Sequence, residues 1–171
     1  MEHLEIERKY LIRMPDAALL ERLPSSAIEQ VYILSSEGGR ERIRRRDYGG
    51  RVEYTHTVKT RLSDLTRVEN ECEIEAAEYA ALREKADPQR CILRKRRYLY
   101  EYAEQCFEID VFPFWDDRAL MELELSGEEQ EIALPPGIAI LKEVTSDKRY
   151  TNAAIAREIP RDPIEAGYHK E

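Results

Sequence analysis

The sequence predicts a mainly β (α+β) protein: an antiparallel β-barrel tunnel of about eight strands, with a few short helices outside and a C-terminal closing helix. Three observations predict it. Short runs of period-two alternation follow one another at hairpin spacing, most of them separated by Gly- or Pro-containing turns. Most runs also carry charges on one face and apolar residues on the other. The intervening helices are too few and short to cover a broad flat sheet. Curling that sheet until its polar face lines a lumen is the closure that also removes its edges.

The totals bound the answer. The 171 residues suit one domain spanning 1–171 with a real core. Charged residues make up 36%, well above the usual quarter, and the net charge is -8. That balance argues against a duplex nucleic-acid partner, which needs a broad basic surface. It leaves open a small anion, because the local arrangement of 27 Lys and Arg residues decides that. Three cysteines, Cys72, Cys91 and Cys106, an odd number with no CxxC spacing, argue against a disulfide framework or structural zinc. No basic-then-apolar leader and no membrane span is read, so a cytoplasmic protein without a membrane partner is expected.

Residues 3–13 alternate as a first strand, and Asp16 caps a short helix to about Leu23, stopped by Pro24. Ile28 to Ser35 is the second strand, with Glu37-Gly38-Gly39 as a hairpin turn. Arg40–Asp47 and Val52–Arg61 follow as third and fourth strands around Tyr48-Gly49-Gly50. After Leu62-Ser63-Asp64, Thr66–Glu75 is the fifth. Ala76–Ala86 is helical, with Tyr79 and Leu82 inward, and Asp87-Pro88 stops it. Cys91–Tyr102 and Cys106–Phe112 form a hairpin across Ala103-Glu104-Gln105. Leu120–Leu125 is the last strand, and beyond Pro135-Pro136-Gly137 a short helix spans Thr151–Glu158.

Parity carries the chemistry. Glu5, Glu7 and Lys9 share a face of the first strand; Arg40, Arg42, Arg44 and Arg46 share one of the third. Glu53, Thr55, Thr57, Lys59 and Arg61 share a face of the fourth, and Glu69, Glu71, Glu73 and Glu75 one of the fifth. Lys95 pairs with Arg97, Glu108 with Asp110, and Glu122 with Glu124. Behind the last two pairs the opposite face is wholly apolar: Phe107, Ile109, Val111, then Met121, Leu123, Leu125. The bland account of any one pair is a wetted sheet face. The set argues otherwise because acids and bases are sorted by strand.

Carboxylates two apart on a strand, about 7 Å, reach around a hard divalent ion such as magnesium or manganese. Guanidinium groups at that spacing suit successive phosphates, each fork binding bidentately. One ligand class matches both, a linear polyphosphate with its metal.

Glu5-x-Glu7-x-Lys9, extended strand by strand by the later pairs and by Val144-Thr-Ser-Asp-Lys-Arg-Tyr-Thr-Asn152, resembles the ExExK signature and closing segment of the CYTH, or triphosphate tunnel metalloenzyme, superfamily. The likeness covers essentially the whole chain and is strongest to bacterial inorganic tripolyphosphatases. It implies metal-dependent hydrolysis of a triphosphate phosphoanhydride, with Mg2+ or Mn2+ as cofactor. Carried over by position, the metal set is Glu5, Glu7 and Glu124, with Glu122 and Asp110 close by. Glu71, Glu73 and Glu108 stand on the acidic side for a second ion or the attacking water. Lys9, Arg42, Arg44, Lys59, Lys95 and Arg97 hold phosphate oxygens, with Arg149 and its neighbour Lys148 at a terminal phosphate. Lys9, Tyr32, Glu5 and Glu7 are the implied catalytic set, Tyr32 lying beside Lys9.

The same tunnel serves a class IV adenylate cyclase or a thiamine triphosphatase, and a non-catalytic polyphosphate- or nucleotide-binding barrel is the alternative from another class. Homodimers are common among related proteins, and an apolar outer face could pair. Elsewhere the readings are plain: His56 and Cys72 lie on apolar parity, Cys72 as core; Arg94 and Arg96 point outward; Trp115 anchors its loop; His3 and His169 need no role.

Overall fold

The alternation of the first predicted strand is realised as β1 (Ile6–Arg13) in the structure, a computed structural model that describes residues 6–34, 40–61 and 67–164. His3, Glu5, the Glu37-Gly38-Gly39 turn, Leu62-Ser63-Asp64 and His169 lie outside the described residues. After β1 come α1 (Ala17–Glu21), β2 (Ser25–Ile33), β3 (Arg40–Asp47), β4 (Val52–Arg61) and β5 (Arg67–Glu73). Then follow α2 (Ala76–Arg83), β6 (Leu93–Tyr102), β7 (Gln105–Val111), β8 (Arg118–Leu125) and β9 (Ile140–Glu143). A 3-10 turn (Lys148–Tyr150) leads into α3 (Asn152–Ile155), capped by Thr151, whose hydroxyl accepts from Ala154 N–H. The fold class is the predicted one, mainly antiparallel β with short helices. Among the described residues no helix is long and apolar enough to cross a membrane.

The chain divides into two compact units, one formed by Ser26–Arg96 and the other by Ile6–Ser25 with the residues from Arg97 onward. In the first, the strand order is β5-β4-β3-β2 and then the start of β6. Its meander follows from the short turns of the sequence. Val31, Ile33 and Ile43 share the parity opposite the arginines and bury against Tyr79 of α2, each contributing about 1.5–3 kcal/mol. The Tyr79 ring lies 5.0 Å from that of Tyr54, and its hydroxyl donates to Glu29 at 3.0 Å. So α2 covers one face of this sheet, and the charged parity occupies the other.

In the second unit the end of β6 leads to β7, β8, β1 and β9. The apolar parity of β7 and β8 meets that of β1 in a core of Tyr10, Ile12, Phe107, Ile109, Ala119, Met121, Leu123 and Leu125. Trp115 anchors its loop as expected: it is buried, meets Phe112 and Phe114 edge-on, and donates its indole N–H to the Pro160 carbonyl at 3.2 Å.

Two expectations are corrected here. Alternation finds eight strands, whereas the structure has a ninth, β9, antiparallel to β1 with a register shift between Leu11 and Ile12. Four residues reading Ile-Leu-Lys-Glu carry too little periodicity to be seen. Cys72, expected in the core, is exposed, because β5 ends the strand order of its unit.

The β6–β7 hairpin turns on Ala103 and Glu104, with φ of 52° and 59°, the left-handed region that favours glycine. Glu104→Gly should therefore stabilise the protein by about 1 kcal/mol, read from the midpoint of chemical denaturation; no gain would mean that the turn is unstrained.

Candidate functional site

Part of the charged parity is buried, while Glu7, Glu71, Glu73 and Glu124 on it are exposed. Lys9, Gln30, Thr57, Lys95, Arg97 and Asp110 are each at most 9% exposed. On the opposite parity of β6, Arg94 and Arg96 are exposed, as predicted. Buried charge survives only when paired and hydrogen-bonded, and the two units arrange this differently.

In the second unit the strand register builds a tight cluster. Lys9 stands opposite Glu122 on β8, and Glu122 opposite Glu108 on β7. The Lys9 ammonium donates to the Tyr150 carbonyl at 3.1 Å and pairs with Glu122 at 3.1 Å. Arg97 grips Asp110 with both arms of its fork, Nε to Oδ1 at 2.8 Å and Nη2 to Oδ2 at 2.9 Å, while Nη1 pairs with Glu108. Burial lowers the Arg97 pKa, but Asp110, Glu108 and Glu122 outweigh it and push it above its ordinary value. One register step away, Glu7 and Glu124 are direct cross-strand neighbours, both exposed.

The closing segment is fastened to the same unit. Val144 N–H donates to the Lys9 carbonyl, and Lys9 N–H to the Thr145 hydroxyl. Asp162 gathers Arg149, Lys142 at 2.8 Å and the Tyr150 hydroxyl at 2.7 Å. Arg149 is also held by Asp147 at 2.7 Å, while Lys148 is exposed.

In the first unit β2, β3, β4 and β5 line up in cross-strand rows. One is Tyr32–Arg42–Thr57–Glu71, the next Gln30–Arg44–Thr55–Glu73, and Arg40 stands opposite Lys59 and Lys59 opposite Glu69. The Thr57 hydroxyl donates to Glu71 at 2.9 Å. The ion pairs are loose: Arg42 to Glu69 at 3.8 Å and Glu71 at 3.7 Å, Arg44 to Glu71 at 3.6 Å, Lys59 to Glu69 at 3.8 Å. Such separations are too long for hydrogen bonds. Tyr32 has Arg90 over its ring at 5.6 Å; burial raises its hydroxyl pKa, and Arg42 and Arg90 oppose that shift.

Divalent-ion binding is judged on these donors. Both oxygens of Asp110 accept from Arg97, so this carboxylate positions a guanidinium. Glu7 and Glu124 offer hard oxygens from adjacent strands, with Glu122 on the Lys9 row. Among the described residues no three acidic side chains converge as a ready-made cage. A pair of carboxylates nonetheless fits an ion that keeps its waters for phosphate oxygens to displace, as magnesium does.

Parity finds Lys9, Lys95, Arg97, Glu108 and Glu122. It misses three features. Gln30 is a lone amide in an apolar strand, although it shares the parity of Tyr32; the Tyr150 contact is made by a backbone carbonyl; and Asp162 lies in a loop without pattern. His56, on apolar parity, hydrogen-bonds Glu41 at 3.0 Å.

No family model matches the chain. It is 33% identical over 158 residues to an inorganic triphosphatase of Nitrosomonas europaea, covering 91% of this chain and 99% of that protein. Among solved structures, a hypothetical protein, NE1496, is similar with a TM-score of 0.61 at 31% identity, over 92% of this chain and 100% of that one. A structure of the inorganic triphosphatase NE1496 has a TM-score of 0.59 at 30% identity, over 91% and 99%.

Two outcomes test this geometry. Asp110→Ala removes both bidentate bonds of buried Arg97, leaving it the Glu108 pair, and should cost about 3 kcal/mol in chemical denaturation; a loss under about 1 kcal/mol would deny the pair its structural role. Asp162 is held below the usual carboxylate range by Arg149 first, then Lys142 and Tyr150. A depressed carboxyl contributes stability above its unfolded value of about 3.9, lost as pH falls through the lower folded value. Trp115 reports this through Pro160: its emission should hold steady down to about pH 4 and shift only in stronger acid. In Asp162→Asn the shifted emission should be present at neutral pH.

Proposed function

From the premise that the chain belongs to the CYTH, or triphosphate tunnel metalloenzyme, family, we propose that it is a cytoplasmic, divalent-metal-dependent triphosphatase hydrolysing a phosphoanhydride bond of inorganic tripolyphosphate. The observation that carries this reading is the buried Lys9–Glu122–Glu108–Arg97 cluster beside the opposed Glu7 and Glu124, in a chain aligned to an inorganic triphosphatase over nearly its whole length. The substrate class is a small triphosphate.

Glu7 and Glu124 would hold the ion, with Glu5 from the signature and Glu122 alongside; magnesium or manganese suits these oxygens. When bound, a divalent cation supplies charge withdrawal from phosphate oxygens. Lys9 has three N–H donors, and Glu122 and the Tyr150 carbonyl take two, so the third is directed to a phosphate oxygen. Arg97 is fixed by Asp110 before substrate arrives, so its charge stabilises the transferring phosphoryl group without reorganisation. Lys95, Arg42, Arg44 and Lys59 take further phosphate oxygens, and Arg149 with Lys148 a terminal one. Glu108, the register neighbour of Glu122, orients the attacking water, with Glu71 and Glu73 as the remaining acids.

Purified protein with magnesium or manganese should release phosphate from tripolyphosphate faster than from ATP or thiamine triphosphate. Glu7→Gln should reduce that turnover at least about 100-fold at an unchanged thermal midpoint, since Glu7 is exposed and a neutral amide is a weaker ligand for a divalent ion than a carboxylate. Release from none of the three substrates, or full activity of Glu7→Gln, overturns the reading; cyclic AMP formed from ATP replaces it with the cyclase.

A further inference from the structure

The charged face of the first unit holds buried polar atoms with no hydrogen-bond partner among the described residues. Gln30 is 1% exposed, and its Nε2 has no hydrogen-bond acceptor among the described residues. The Thr55 hydroxyl and the Arg42 Nε are likewise buried without a partner there. Buried donors are satisfied in the great majority of cases, so several on one sheet face point to a ligand rather than to packing. Their placement agrees. Gln30 and Thr55 flank Arg44 on a single cross-strand row, and Arg42 lies on the next. Side chains directly opposite on antiparallel strands come within about 5 Å at Cβ, so the three elements of the row present their polar ends together.

Thr55 lies on the charged parity of β4 and Gln30 on that of Tyr32, but neither belongs to the set assigned above. We propose that Gln30 and Thr55 are further substrate-contacting residues, neutral donors that bind phosphoryl oxygens of a condensed phosphate beside Arg42 and Arg44. The inference rests on the triphosphatase reading and sharpens its specificity. Neutral donors orient an oxygen without adding charge, and on binding they exchange an unsatisfied state for a hydrogen-bonded one. The loose ion pairs of Arg42 and Arg44 are consistent with this, because a phosphate at hydrogen-bond distance competes easily with carboxylates at 3.6–3.8 Å.

Gln30→Leu keeps the volume and removes the amide, and Thr55→Val keeps the shape and removes the hydroxyl. Each should raise KM for tripolyphosphate about tenfold with the thermal midpoint unchanged or higher, because an unsatisfied buried group has been removed. Gln30→Glu, which puts a carboxylate where an anion binds, should raise KM about a hundredfold. Unchanged KM in both Gln30→Leu and Thr55→Val overturns the proposal, as does any rise in KM accompanied by a lowered midpoint, which would mark the amide as structural. Should the wild type show no turnover, the proposed function fails by itself. Calorimetric binding of tripolyphosphate without metal then decides this inference: weaker binding by Gln30→Leu than by the wild type supports it, and equal binding overturns it.

Discussion

Side chains alternate along a strand, so a sheet buried on both faces must make one face apolar and give the other some means of neutralising itself. That constraint governs this protein. In the first unit Val31, Ile33 and Ile43 take the apolar face and pack on Tyr79 of α2, leaving the charged parity to manage its own field. Sorting the signs by strand is the solution. Acidic β5 lies against β4, and basic β3 beyond it, so opposite charges meet across strands. In the second unit acidic residues stand opposite one another, Glu7 across from Glu124 and Glu122 across from Glu108, and Lys9 of β1 and Arg97 of β6 supply the neutralising charge.

The two units neutralise their charges with different tightness, and the difference has chemical meaning. Arg97 is clamped in bidentate geometry, and its position is set before any ligand arrives. The ion pairs of Arg42 and Arg44 with Glu69 and Glu71 lie at distances where attraction persists but hydrogen bonds do not. A rigid cation suits a place where charge develops along a reaction. Loosely held cations suit a place where an anion must enter and leave. Asp110 illustrates how much of such a site is support: it is among the most buried charged groups, and its work is to aim a neighbour.

Much of this was legible in the residues. β3 and β4 run over Arg40–Asp47 and Val52–Arg61, as read from alternation, because Asp47-Tyr48-Gly49-Gly50 punctuates them sharply. Parity alone picks out Lys9, Lys95, Arg97 and Asp110 as one charged set, but it does not tell them from Glu7, Glu71, Glu73 and Glu124, which are exposed. What stayed hidden has physical causes. β9 is shorter than the window over which a period shows, and Asp110 and Glu108 look alike in sequence although only Asp110 faces the full fork of Arg97. The Tyr150 carbonyl that holds Lys9 belongs to the backbone, which carries no sequence signal. Asp162 sits in an unpatterned loop, and its importance arises only when Lys142, Arg149 and Tyr150 converge on it.

The place of β5 at the end of its unit's strand order has a consequence unconnected with phosphate. A terminal strand presents backbone groups that another chain can adopt as a template. Here that strand reads Arg67-Val-Glu-Asn-Glu-Cys-Glu73, and its repeated negative charges repel an identical strand brought alongside. The acids therefore also protect solubility. Replacing several of them together by amides would leave an uncharged, extended, polar run of the type that stacks into fibres. A multiply neutralised variant would thus lose activity through self-association as well as through the loss of Glu71 and Glu73 from the charged face.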